Sequence, residues 1–296
     1  MQVVQAAVIL PTPPHARYVR FDLSAGAAVE EIRRALSALA ERTDGKSLVV
    51  GLGVQVVTAL GKKLELLREF PTELRMDNPE APAALWCWQR GVERGDLWNQ
   101  TIELVDLLQP AFTLRQVVDA FTHQSGHDLT GYEDGTENPK GQAAMQAAFL
   151  HASEVDGLNG SSFVAVQQWS HEWAAFNHMS KSAQDDAIGR ERVSNEELED
   201  APESSHVKRT AQEDFSPEAF VMRRSMPWTD ELKGGLMFVA FGCSLYAFEA
   251  QWRRMLGLDD GIKDALFQFS QPMTHDYYWC PPINQQGRLN LQYLDI

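Results

Sequence analysis

Two stretches of this 296-residue chain share one pattern. Residues 46–59 (KSLVVGLGVQVVTA) and 235–248 (GLMFVAFGCSLYAF) each read as an apolar strand, a glycine and a helix, with Gly53 and Gly242 in the same place. The match lies in pattern more than in identity, and it favours two similar α+β halves joined near residues 150–160. The chain does not show the regular crossover helices of a doubly wound parallel sheet. No GxGxxG follows a strand, which argues against a dinucleotide fold.

The rest of the chain continues this grammar. Apolar runs predict strands over 3–10, 18–23, 47–52, 85–90, 162–169, 219–223 and 236–241. Val29, Ile32, Leu36 and Leu39 recur at helical spacing within a helix over 27–42, with Ser24 as its cap. Further helices are expected over 54–60, closed by Gly61, over 97–108, stopped by Pro110, across most of 171–190, and over 245–256. Residues 191–205 (ERVSNEELEDAPESS) show no apolar period and read as an exposed loop.

Composition removes several classes of function. Lysine plus arginine number 26 against 41 aspartates and glutamates, a net charge of −15. That balance excludes a general nucleic-acid binder and an anionic membrane surface as main partner. The most apolar run, 236–248, is too short for a bilayer, which needs about 20 residues. The N-terminal stretch lacks a charged leader, and Cys87, Cys243 and Cys280 have no metal-ligand spacing. A cytoplasmic protein with reduced thiols is expected.

Three segments carry candidate chemistry. Residues 126–141 (GHDLTGYEDGTENPKG) are dense in turn formers and acids, so a surface turn cluster and a binding loop are both open readings. Within them Gly135 would let the backbone approach a bulky group beside the Asp134 carboxylate. Arg223 and Arg224 end an apolar strand, and alternation sends one of them inward, where it needs an anionic partner. His206 emerges from the acidic loop into a short basic helix start. Among the other histidines His171 fails HExxH, since Ala175 stands where the second histidine would be. His123 and His127, four apart, are a weak zinc pair, while His15, His151, His178 and His275 read as surface or capping residues.

Together these segments resemble the dye-decolourising peroxidase family, and its short bacterial group in particular. GYEDGTENP (131–139) matches the family's GxxDG signature, SHVKRT (205–210) its axial-histidine segment, and MRRSMPW (222–228) its distal-arginine strand. GLMFVAF (235–241) is similar to the strand that closes the haem pocket, and the resemblance runs in order from residue 3 to about 283. It implies an α+β fold of the dimeric α+β barrel type: two ferredoxin-like halves, antiparallel sheets with peripheral helices. Residues 1–153 would carry the distal loop and 154–296 the haem pocket.

The implied activity is reduction of hydrogen peroxide through a ferryl intermediate, with dyes, phenols or other small one-electron donors as reductants. The implied cofactor is haem b, one per chain. Carried over by position, His206 would be the iron ligand, Asp134 and Arg223 the distal catalytic pair, and Arg209 a partner for a haem propionate. Ser225 would be the small polar residue of the distal side. Asp264 is the carboxylate chosen to orient His206, with Asp260 as the alternative. His275 departs from the family, where glycine is common. A homo-oligomer is expected by analogy. The short stretch after Pro281-Pro282 argues against encapsulin cargo. Of the eight Trp and six Tyr, none is singled out as a radical site. Two other classes compete: a haem carrier or dechelatase, which needs His206 but not Asp134 and Arg223, and a non-haem scaffold, which needs none of them.

Overall fold

Strand β1 (His15–Leu23) is flanked by β3 (Leu85–Gly91) and β4 (Phe112–Phe121), both antiparallel to it. The computed structural model describes residues 4–76 and 80–296. Strand β2 (Leu48–Leu52) adds to β3, which gives the order β4-β1-β3-β2. Further along the chain, β5 (Ser162–His171) pairs with both β8 (Lys233–Gly242) and β10 (Asp276–Cys280), and β7 (Met226–Asp230) adds to β8. The order there is β10-β5-β8-β7. Two short pieces complete the sheet: β6 (Met222–Arg223) on β8 and β9 (Ser270–Pro272) on β5. The runs join at both ends, through Leu52 opposite Trp279 and Ala120 opposite Trp228, so the antiparallel sheet closes on itself. Closure removes the long free edges that would otherwise invite association.

Alternation divides the side chains between two layers. Tyr18, Val49, Trp86, Trp88, Val164, Val166, Val239, Phe241 and Tyr278 come from strands all round the ring and form one buried cluster, its interior. Trp86 stacks on Tyr278, and Tyr18 stacks on Trp88, with centroids 5.9 and 6.1 Å apart. Such pairs add about 0.5–1.5 kcal/mol each beyond area burial. Arg20, also inside, donates to Asp276 Oδ2 at 2.9 Å and to Gln116 Oε1, which satisfies a charge that would be costly alone.

The outward face is covered by helices α1 (Val29–Arg42), α2 (Val54–Ala59) and α3 (Arg94–Leu108), and later by α5 (Trp173–His178), α6 (Lys181–Ile188), α7 (His206–Arg209) and α8 (Tyr246–Met255), while α4 (Gly141–Ala148) packs Ala144 and Ala148 into the interior cluster. Helix α1 buries Ile32, Leu36 and Leu39, as their spacing requires. Its first turn is not capped by Ser24. Glu31 accepts from the Ala28 N–H at 3.0 Å instead, and Ser24 Oγ meets Thr113 Oγ1.

Several expectations need correction. The strand expected over 3–10 is a 3-10 turn at Ala6–Val8, with residue 3 outside the described residues. Gln5 is the reason: its amide accepts from Val50 N–H and donates to Val50 O, each at 2.9 Å, occupying that residue's backbone groups. Ala7 and Val8 then plug the ring interior. The strand expected over 219–223 shrinks to Met222–Arg223, since the Val221 N–H goes to Gln212 Oε1. Strands β4, β7, β9 and β10 were not anticipated. Among the described residues no helix is long and apolar enough to cross a membrane.

Candidate active site

The outward face of the second strand run opens into a cavity. Period-two alternation places Gln167, Trp169 and His171 there on β5, and Leu236 and Phe238 on β8. Phe248, Gln251, Trp252 and Met255 of α8 form a second wall, and Leu266, Phe269, Ile188 and His206 add to the lining. Counting its open mouth and the solvent in it, the space between these walls is about 880 Å³. Its walls are mainly apolar, with a few convergent polar groups.

His206, the first residue of α7, is one of these, its side chain 23 % exposed. Its Nδ1 lies 2.8 Å from Asp264 Oδ2, while Asp264 is fully buried. The other Asp264 oxygen accepts from the Leu266 N–H at 2.8 Å and caps the 3-10 turn Ala265–Gln268. A carboxylate fixed in this way makes Nδ1–H the donor and leaves the Nε2 lone pair free. Of the two candidate carboxylates, the structure thus brings Asp264 to His206. Asp260 is engaged elsewhere: both its oxygens accept from Arg209, at 2.7 Å each, and Arg209 also donates to Arg254 O. The Asp260 carboxyl is accordingly held below its ordinary value by the hydrogen bonds from Arg209 and the Ile262 N–H.

Arg209 is therefore not placed for a ligand carboxylate. It is buried and closed by this bidentate pair, and among the described residues Arg223 is the one guanidinium on the cavity lining. Arg223 Nη1 stands 3.5 Å from Asp134 Oδ1, with the two side chains 16 % and 22 % exposed. Both line the same cavity as His206. Arg224 takes the other direction, as alternation requires, and donates to the Arg223 carbonyl at 2.9 Å. Burial, helped by the nearby charge of Arg90, brings its pKa down to about 10. Ser225 is not on the main cavity. It lines a small cleft behind Asp134, with Thr122, His123 and His127, and its Oγ accepts from Val239 N–H at 3.4 Å.

The 126–141 segment is an anchored loop between β4 and α4. Gly135 has φ +76°, and a Cβ there would lie 2.9 Å from Asn138 Nδ2, so a tight local turn explains the glycine. At the loop's start Asp128 accepts from Thr130 N–H and Oγ1 and meets His171 Nε2 at 3.1 Å, while His171 Nδ1 meets Ser270 Oγ at 2.7 Å. Burial alone would push the Asp128 carboxyl up, but its bonds to His171 and Thr130 outweigh this and hold it below the ordinary range. Sequence reading missed His171, Asp128 and Ser270. The one local signal was Asp128-Leu129-Thr130, a turn pattern in which the carboxylate bonds two residues on.

The histidines sort differently from expectation. His275 is buried, its ring 4.7 Å from that of Phe70, and Nδ1 accepts from Gln167 Nε2 at 2.8 Å. Burial, with a smaller contribution from Arg75, lowers its pKa to about 4. His123 and His127 face each other across a small backbone bridge.

A sequence model of the C-terminal part of Dyp-type peroxidases matches residues 125–285. A dye-decolorizing peroxidase of Mycobacterium tuberculosis is 32 % identical over 180 residues, covering 59 % of this chain and 53 % of that protein. The aligned region thus spans about half the length of that relative. A second, from Rhodococcus erythropolis, is 29 % identical over 248 residues, 80 % of this chain and 72 % of that one. Among solved structures, a haem complex of a DypB variant from Rhodococcus jostii superposes with a TM-score of 0.80 at 26 % identity, covering 95 % of this chain and 97 % of that one.

Proposed function

The chain belongs to the Dyp-type peroxidase family, and on that premise we propose that it is a haem b peroxidase, reducing hydrogen peroxide with dyes, phenols or other one-electron donors. One observation carries this reading: a carboxylate-oriented histidine and a carboxylate–guanidinium pair line one apolar cavity. The residues fit the group. His206 has a free Nε2, and the cavity walls are apolar and aromatic. A haem complex of a relative with the same fold supports the choice. The two strand runs, each a four-strand order with helices on one face, are read as ferredoxin-like halves, residues 1–153 and 154–296.

When bound, haem would supply an iron that takes up peroxide and stores oxidising equivalents. His206 would hold that iron through Nε2. Asp264, accepting the Nδ1 proton, fixes the tautomer and raises the basicity of the ring. Asp134 would take a proton from one peroxide oxygen and deliver it to the other. Arg223 supplies positive charge where negative charge develops as the oxygen–oxygen bond lengthens. Phe238, Trp252 and Phe269 keep bulk water from the apolar walls.

Haem titration of the wild type against His206→Ala, followed at the Soret band, tests the assignment. One haem per wild-type chain, and affinity lower by more than about 100-fold in the variant, is the expected result. Equal affinity would remove His206 from the site.

A further inference from the structure

We propose that Asn138 is the positioning residue that sets the spacing between Asp134 and Arg223, a role that rests on the peroxidase reading. Asp134 sits on a loop and Arg223 on a two-residue strand, and no regular element joins them. Their own contact, at 3.5 Å between partly exposed groups, is too long for a strong hydrogen bond and too wet to hold a loop in place. Something else must fix the spacing.

That something is the Asn138 carboxamide. Its Oδ1 accepts from the Arg223 N–H at 2.7 Å, and its Nδ2 donates to the Arg223 carbonyl at 3.1 Å. These are the outward backbone groups of a strand whose other side faces β8. The amide therefore completes the residue as a neighbouring strand would. Only one amide orientation satisfies both partners. On the loop side, Asn138 N–H donates to Gly135 O at 3.2 Å, closing a turn that begins one residue after Asp134. Gly135 has no Cβ, and a Cβ there would meet Asn138 Nδ2, so the turn and the clamp require each other. The adjacent residue is tied as well: Gln212 Nε2 donates to Glu137 O at 2.9 Å. The path from the Asp134 backbone to the Arg223 backbone is thus a short hydrogen-bonded chain through Asn138.

The molecule contains its own control. Gln5 makes the same two bonds to Val50, and a third to Pro281 O, in the first strand run and away from the cavity lining. If such clamps serve only stability, losing either should have the same consequences. If Asn138 positions the pair, only its loss should alter the response to peroxide.

The experiment compares haem-loaded wild type, Asn138→Ala and Gln5→Ala. Hydrogen exchange at the Arg223 amide is expected to rise about tenfold or more in Asn138→Ala and to stay unchanged in Gln5→Ala. The second-order rate of the absorbance change with hydrogen peroxide is expected to fall at least about tenfold in Asn138→Ala, and less than about twofold in Gln5→Ala. Haem affinity should hold within about twofold in both, because His206 and Asp264 are untouched. A peroxide rate in Asn138→Ala equal to wild type, or lowered equally in both variants, overturns the proposal alone. A wild type that does not respond to peroxide overturns the peroxidase reading and this role with it.

Discussion

The two strand runs share one order and meet different fates. On β4-β1-β3-β2 the outward face is filled: Val19, Phe21, Val50 and Leu52 pack in one cluster with Ile32, Leu36 and Leu39 of α1 and Leu104 and Leu108 of α3. On β10-β5-β8-β7 the same face carries Gln167 and His171 beside Trp169, Leu236 and Phe238, and it opens into the cavity. The helix layers explain the difference. Helices α1 and α3 run 14 and 15 residues and cover their sheet. Helices α5, α6 and α7 run six, eight and four residues, and α8 is left to cover the rest. A broken layer leaves volume over the sheet and brings helix starts, His206 among them, to the cavity wall.

If that contrast is right, equal truncations should cost unequal amounts. Leu36→Ala, in the filled half, is expected to lower unfolding free energy by about 3 kcal/mol, because it leaves an enclosed void. Leu236→Ala borders space that already exists and should cost less than about 1.5 kcal/mol. Denaturant melts of the haem-free proteins measure both, and equal costs would break the comparison.

The buried His275, packed against Phe70 and Trp252 just before β10, gives the next effect. His275 is held at about 4, below its usual value near 6.5, so the folded protein binds fewer protons than the unfolded chain between those values. Its contribution to stability is therefore intact above about pH 6.5 and is lost as pH falls towards about 4, by at most about 3.4 kcal/mol. His275→Gln should flatten that part of the acid limb. An unchanged limb would show that His275 does not titrate there.

A smaller effect is expected behind His206. Asp264→Asn keeps the shape but removes the charge that orients His206, and should weaken haem binding by about 10- to 100-fold in the same titration. No change would mean that the 2.8 Å contact does not matter to haem binding.

Legibility in the sequence followed the same divide. Helix α1 was readable because one face is buried at regular spacing, and β2, β5 and β8 because their runs are largely apolar. Strand β4 was not, since its partners across the sheet are polar: Arg115 pairs with Asp22, Asp119 with Arg17, and Gln116 with Arg20. These side chains erase the alternation that marks a half-buried strand. Strand β10 begins with Asp276, whose partner Arg20 lies 256 residues away in the chain. His206, Asp134 and Arg223 were singled out from local motifs, and the structure brings the three to one cavity. Arg209 was read as a ligand contact because its type suits carboxylates, but a carboxylate of the protein itself, Asp260, takes it. The buried bonds of His171 to Asp128 and Ser270 join three distant segments, so no spacing rule could have announced them.

The most direct test of the account is stopped-flow absorbance of the haem-loaded protein mixed with one equivalent of hydrogen peroxide, for wild type, Arg223→Leu and Asp134→Asn. The account predicts a wild-type change within milliseconds, slowed by at least about 100-fold in Arg223→Leu and by less in Asp134→Asn. A wild-type Soret band that barely responds, or variants as fast as wild type, would contradict it.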